Sequence, residues 1–198
     1  MNIGMCFCVI NNTIGYQGAE YSNSMEAATR MAERLSLSDA VLLPLVSSRG
    51  VVDALLNGTI KFGVLAIENT LAGRVTETER ALAGLRYETL CTGQIHIHHC
   101  LFKHPDIDGS QITAVASHIQ ALSQCKKNLD ILLPGSQRLE LEDTAIGARY
   151  LREGKLSAST AVLCRRDAGE AYRLTMMAEN VEDSDLNITT FYLIKLAE

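Results

Sequence analysis

Very little interrupts this chain. Only three prolines occur in 198 residues, and no Gly/Ser-rich linker, repeat or low-complexity tract is visible, so composition marks no domain boundary. Basic residues are in the minority. Eighteen Lys and Arg face 23 Asp and Glu, for a formal net charge of -5, and no cluster of Lys and Arg interleaved with aromatics stands out. Nucleic acid is therefore not an expected partner. Long apolar runs are missing too. MCFCVI, Met5 to Ile10, lacks a basic flank and is too short for a signal peptide or a spanning helix, so the protein is expected in the cytoplasm, away from any membrane. Six cysteines (Cys6, Cys8, Cys91, Cys100, Cys125, Cys164) lack the paired spacing of a zinc site. A chain of this size does not need disulfides, so reduced and mostly buried thiols are expected.

What is present is ordinary globular material, 47% hydrophobic and 21% charged, enough for one generous domain or two small lobes. Strand-like segments alternate with capped helices. TIGYQG leads into NSMEAATRMAERL, where Asn23 and Glu26 have capping-box spacing and Met25, Ala28, Ala32 and Leu35 form an apolar stripe. SSRGVVDALLNG reads as a helix capped by serine and stopped at Asn57-Gly58. FGVLAIEN reads as a buried strand before a helix opened by the Thr76–Glu79 box. ITAVAS precedes HIQALSQCKKNL, boxed by Ser117 and Gln120; RLELED precedes TAIGARYLREG; and STAVLC precedes DAGEAYRL, boxed by Asp167 and Glu170. This order predicts α/β architecture with parallel strands, since helical crossovers are what parallel neighbours need. The loops after such strands gather on one edge with helix N-termini pointing at it, which suits a small carboxylate or phosphate.

Polar residues cluster where strands end. In AIENTLAGRVTET, Glu68, Asn69 and Thr70 close a hydrophobic strand; they are placed either to meet a ligand or to satisfy the local turn. NITTFYLI opens a good buried strand with an amide, Asn187, and two hydroxyls, Thr189 and Thr190, which fits either β-propensity or delivery of hydroxyls to a cleft. In IHIHHC, strand alternation puts His96 and His98 on one face and His99 on the other, with no carboxylate or Cys at spacing that would complete a metal site.

Taken in order and spacing, GYQGAEYSNSMEAA, AIENTLAGRVTET, SHIQALSQC and NITTF resemble the catalytic domain of prephenate dehydratase, from about residue 13 onward. The resemblance implies two α/β lobes similar to a type II periplasmic binding protein, with the ligand cleft between them. The first lobe would span residues 1–92 plus 178–198 and the second 93–177. It further implies a lyase that turns prephenate into phenylpyruvate, water and carbon dioxide in phenylalanine biosynthesis, with no metal or organic cofactor, a small dianionic substrate as partner, and a homodimer. Thr189 matches the family threonine assigned to the leaving hydroxyl. Ser24, Glu68, Asn69, Thr70, Ser117, Gln120, Thr144 and Asn187 are the implied substrate contacts, while Ser117 and Gln120 also fit a helix cap alone. His99 matches a family histidine expected in the core or behind the substrate contacts.

Three positions depart from the family pattern. Thr190 stands where an arginine follows the catalytic threonine, so either another cation such as Arg74 compensates or activity is reduced or redirected. Tyr21 replaces a glycine and is expected to narrow the cleft; Ile119 replaces a proline. The family's regulatory domain is not expected, since the chain stops just after LIKLAE. The alternatives are a prephenate decarboxylase that keeps the ring non-aromatic, and a catalytically silent binder of a cyclohexadienyl or aromatic acid.

Overall fold

The computed structural model describes residues 12–37 and 39–197; the apolar run Met5 to Ile10, with Cys6 and Cys8, lies outside them. Two sheets share the chain. The first holds β1 (Thr13–Tyr16), β2 (Val41–Pro44), β3 (Phe62–Asn69), β4 (Gly73–Arg74), β5 (Tyr87–His96) and, from the far end of the sequence, β11 (Ile188–Leu196), in the order β2-β1-β3-β11-β5, with β4 paired to β3. The second holds β6 (Cys100–Lys103), β7 (Ala114–His118), β8 (Gln137–Leu141), β9 (Thr160–Cys164) and β10 (Thr175–Ala178), in the order β10-β6-β9-β7-β8.

Each sheet is covered on both faces, which is why its central strands read as unbroken apolar runs. In the first, α1 (Asn23–Arg34) buries Ala28, Met31 and Ala32 against Ile14, Val64 and Phe191. On the other face, α2 (Ser48–Leu56) packs Val51 and Leu55 on Leu65 and Ile194. Next in the chain, α3 (Thr76–Leu82) follows β4. In the second sheet, α4 (Ile119–Gln124) and α5 (Lys126–Leu132) set Leu122 and Leu129 against Val115 and Leu163. The opposite face of that sheet receives α6 (Ile146–Arg152) and α7 (Arg166–Ala171), packed around Phe102 and Val162. Cys91, Cys100, Cys125 and Cys164 are all free and buried.

The expected parallel pairing is realised in part of each sheet. β1 pairs in parallel with β2 and β3, and β7 with β8 and β9, where helical crossovers supply the connection. By contrast, β11 runs antiparallel between β3 and β5, and β6 runs antiparallel to β9 and β10. These are the strands that carry the chain between sheets, and a hydrophobic run fixes burial without fixing direction.

None of the four anticipated capping boxes forms. Ser22, not Asn23, caps α1 by accepting from the Met25 N–H. Asn23 and Glu26 instead take Arg165, which follows β9 of the second sheet. Val75 precedes α3 without a side-chain cap: Thr76, the expected cap, is already the first residue of the helix, and its box partner Glu79 bonds Arg74. His118 caps α4 in place of Ser117, and α7 starts at Arg165 with no side-chain cap. For α1 and α4 the side chain that local spacing would use for a cap, Asn23 or Ser117, has a partner elsewhere in the fold. The serine cap of α2, Ser47, and its stop at Asn57-Gly58, with Gly58 at φ +74, form as expected.

Candidate active site

Between the sheets lies a cavity of about 620 Å³, within the ordinary range for a small-molecule site. It is built at strand ends. Gln17 and Gly18 follow β1, Asn69 ends β3, His118 ends β7, Thr144 lies beyond β8 and Arg165 follows β9. The start of β11 enters from the crossover, bringing Asn187 and Thr189.

Thr189 pairs in register with Asn69 and is 8% exposed, on the cavity wall. The Asn69 amide is oriented by its surroundings: Oδ1 accepts from the N–H groups of Leu71 and Ala72, at 3.0 and 2.9 Å. Two donors on that oxygen leave Nδ2 facing β11, where it donates to Thr189 Oγ1 at 2.9 Å and Asn187 Oδ1 at 2.7 Å. Thr189 Oγ1 is therefore an acceptor from Asn69, and its own hydrogen is left for whatever occupies the cavity. Thr190, one residue on, turns to the opposite face of the strand beside Gln94 and Glu68, so the missing arginine is a change off the cavity face.

The chain of amides continues. Asn187, 1% exposed, donates through Nδ2 to Gln124 Oε1 at 3.0 Å, and His99 Nε2 meets the same oxygen at 3.1 Å. An amide oxygen only accepts, so Nε2 carries the imidazole hydrogen and Nδ1 is a bare acceptor; it is a buried side-chain atom without a partner among the described residues. Burial holds the His99 pKa below its ordinary value of about 6.5, against weaker upward pulls from the Gln124 hydrogen bond and Glu182. The unfolded chain takes up that proton as pH falls through about 6.5 while the folded chain does not, so the stability His99 contributes is full above that pH and declines below it. Thermal unfolding is expected to show a steeper loss of melting temperature from pH 7.5 to 5.5 in the wild type than in His99→Gln. Parallel pH dependences would contradict the neutral buried state.

Six of the nine site residues expected from the sequence line the cavity: Ser24, Asn69, Gln120, Thr144, Asn187 and Thr189. Three do not, each for a visible reason. Glu68 is exposed on the other face of β3, paired in register with Arg74. Thr70 fastens the crossover: its Oγ1 donates to the Leu186 carbonyl and accepts from the Ile188 N–H. Ser117 is fully buried, and its hydroxyl donates to the Leu163 carbonyl at 2.9 Å.

Sequence reasoning passed over Gln17, Glu77, Gln124, Glu142, Asp143 and Arg165, all on the cavity wall. Gln17 and Arg165 immediately follow strands, and Glu142 and Asp143 follow β8, so position after a strand end was the available signal. Arg165 ties the two sheets together. It reaches Asn23 and Glu26 of α1, while Asp167 takes its Nε and Nη2 at 3.0 and 3.1 Å. Tyr21 lines the cavity with backbone at φ +63, a conformation that costs a non-glycine residue on the order of 1 kcal/mol. Its ring meets Tyr172 edge to face, centroids 6.1 Å apart, so the residue that replaces glycine also bridges the sheets.

A family model described as prephenate dehydratase matches residues 14–198. The chain belongs to the prephenate dehydratase family. It is 28% identical over 183 residues to the bifunctional chorismate mutase/prephenate dehydratase of Stutzerimonas stutzeri, covering 91% of this chain and 48% of that protein. It is 34% identical over 131 residues to arogenate dehydratase 4, chloroplastic, of Arabidopsis thaliana, covering 66% of this chain and 31% of that one. Among solved structures, the prephenate dehydratase of Arthrobacter aurescens in complex with L-Phe superposes with a TM-score of 0.80 at 21% identity, over 94% of this chain and 61% of that chain. The chain thus spans about a third to a half of the length of these curated relatives. Membership of the prephenate dehydratase family accounts for the mixed α/β architecture with its cavity between two sheets. No helix among the described residues is long and apolar enough to cross a membrane, and none of their His, Cys, Asp and Glu side chains gather in groups of three or more that could hold a metal.

Proposed function

We propose that this protein is a lyase of aromatic amino-acid biosynthesis. It removes water and carbon dioxide together from a cyclohexadienyl acid, prephenate or its amino-acid counterpart arogenate, in the cavity between the sheets. The two sheets with their helices serve as the two lobes. The proposal rests on one observation above all: Thr189 Oγ1, on the cavity wall, lies 2.9 Å from the donor Asn69 Nδ2, which leaves its own hydrogen for the cavity.

The chemistry asks for little more. The ring C–O bond breaks and the hydroxyl departs as water. The C–C bond to the ring carboxylate breaks as well, its electron pair entering the ring to complete the aromatic sextet as carbon dioxide leaves. One proton is consumed, at the departing oxygen. A neutral hydroxyl does not release a proton to solvent at this pH, so Thr189 acts as a positioned hydrogen-bond donor to the leaving oxygen, and the proton is drawn ultimately from water. The start of α1 offers backbone N–H groups of Asn23 and Ser24, both on the cavity wall and without partners among the described residues, to a substrate carboxylate. Because Thr190 faces away from the cavity, its departure from the family arginine gives no reason to prefer decarboxylation without water loss.

Incubation of the purified protein with prephenate and, separately, arogenate tests this. An aromatic product, phenylpyruvate or phenylalanine, is expected from at least one of them. Carbon dioxide release with a non-aromatic product, or no turnover of either, would contradict it.

A further inference from the structure

The charges on the cavity wall do not suit a dianion. Two arginines line it, and both are already held by carboxylates that lie outside the lining: Arg74 by Glu79 at 2.9 Å, and Arg165 by Glu26 and Asp167. Three carboxylates line it as well, Glu77, Glu142 and Asp143, and none forms an ion pair with another described residue. Glu77 is used up by other means. One oxygen accepts from the Ser48 N–H in the first turn of α2 at 2.7 Å and the other from Gln17 at 3.3 Å, so the start of α2, unlike that of α1, is occupied by the protein's own carboxylate.

Asp143 is only half used. Its Oδ1 accepts from the Ala145 N–H at 2.7 Å, whereas Oδ2 has no hydrogen bond among the described residues. That oxygen lies beside the loop after β1, on the cavity wall: a Cβ on Gly18 would be 3.6 Å from it. Glu142, exposed beside it, accepts from the Tyr150 hydroxyl at 3.0 Å through one oxygen only. A negative field here is also felt by buried Tyr16, whose pKa is pushed up to about 12, first by burial and then by Glu20 and Asp143. His99 Nδ1, also without a partner among the described residues, lies buried in a residue of the same wall.

We infer that the cavity selects the amino-acid form of the substrate over the keto-acid form, with Asp143 receiving the α-ammonium and Glu142 reinforcing it. This rests on the proposed dehydratase reaction for the identity of the rest of the substrate. The two forms differ at one carbon. An ammonium brings three donors and a positive charge to Asp143; a ketone brings only lone pairs, and with both carboxylates retained it leaves a dianion facing unpaired negative charge.

The products carry the same difference and undergo no reaction, so they serve as probes. Calorimetric titration of the full chain with L-phenylalanine and with phenylpyruvate is expected to give at least about tenfold tighter binding of the amino acid. In Asp143→Asn that preference should shrink to about twofold or vanish, with phenylpyruvate affinity held or improved. Glu142→Gln, at an exposed position and still able to accept from the Tyr150 hydroxyl, should reduce the preference about two- to threefold. Tighter binding of phenylpyruvate by the wild type, or an unchanged ratio in both variants, would overturn the inference. Faster turnover of prephenate than arogenate would overturn it too while leaving the proposed reaction standing. Failure to make an aromatic product from either would remove that reaction, with the binding preference read independently.

Discussion

Thr189→Ala is expected to lower kcat by about 10²- to 10³-fold while KM stays within about threefold of the wild type, the pattern for loss of a donor that acts at the transition state. The effect on folding should be small by comparison. Thr189 contributes one accepted hydrogen bond, and without it Asn69 Nδ2 still has Asn187 Oδ1 and the Ile188 carbonyl, so a loss of about 1 kcal/mol is expected by thermal or urea unfolding. Thr189→Ser keeps the hydroxyl and should retain activity within about tenfold, because serine lacks the methyl group that restricts its rotamer. Steady-state kinetics on the three proteins with the preferred substrate checks this. A large rise in KM with kcat unchanged would mean that Thr189 only binds.

Asn69→Asp should be nearly as damaging to turnover, for a different reason. The backbone N–H groups of Leu71 and Ala72 still find an oxygen, so the turn after β3 survives. The donor facing β11 becomes a carboxylate oxygen. The Thr189 hydroxyl then turns to donate toward residue 69, away from the cavity, and kcat is expected to fall about 10²-fold. Asn187 Oδ1 and the Ile188 carbonyl would face that carboxylate at 2.7 and 3.3 Å in the present geometry, so stability should fall as well, by about 1–3 kcal/mol in denaturant unfolding. Wild-type kcat with intact stability would show that the direction of the Thr189 hydroxyl is not set by Asn69.

How much of this was written in the sequence depends on the level asked about. Elements were legible because burial leaves a period: Met25, Ala28, Ala32 and Leu35 predict α1, and FGVLAIEN predicts β3 residue for residue. Strand direction was not, since β11 reads the same parallel or antiparallel. Helix starts are legible to within a residue or so, but Glu26, Glu79 and Asp167, all at capping-box spacing, hold Arg165, Arg74 and Arg165 respectively, and of these the Glu26 contact comes from a partner far along the chain that local spacing does not show. At the site, Asn69 and Thr189 were legible through the resemblance and are brought side by side by the β3–β11 register. Thr70 and Ser117 share the same strand-end logic yet are occupied by carbonyls across the fold, because a strand end has two faces and only one meets the cavity. Asp143 carried no motif at all. Its position becomes informative only when Gly18, 125 residues earlier in the chain, is seen beside its free oxygen.

Central to this account is a hydroxyl whose donor direction is imposed by its neighbour, and a double-mutant cycle between Thr189→Ala and Asn69→Asp tests it most directly. Once the hydroxyl is gone there is nothing for residue 69 to misdirect, so the double variant should have the same kcat as Thr189→Ala within about twofold. Losses that multiply, giving a double variant about 10²-fold slower again than Thr189→Ala, would contradict the account.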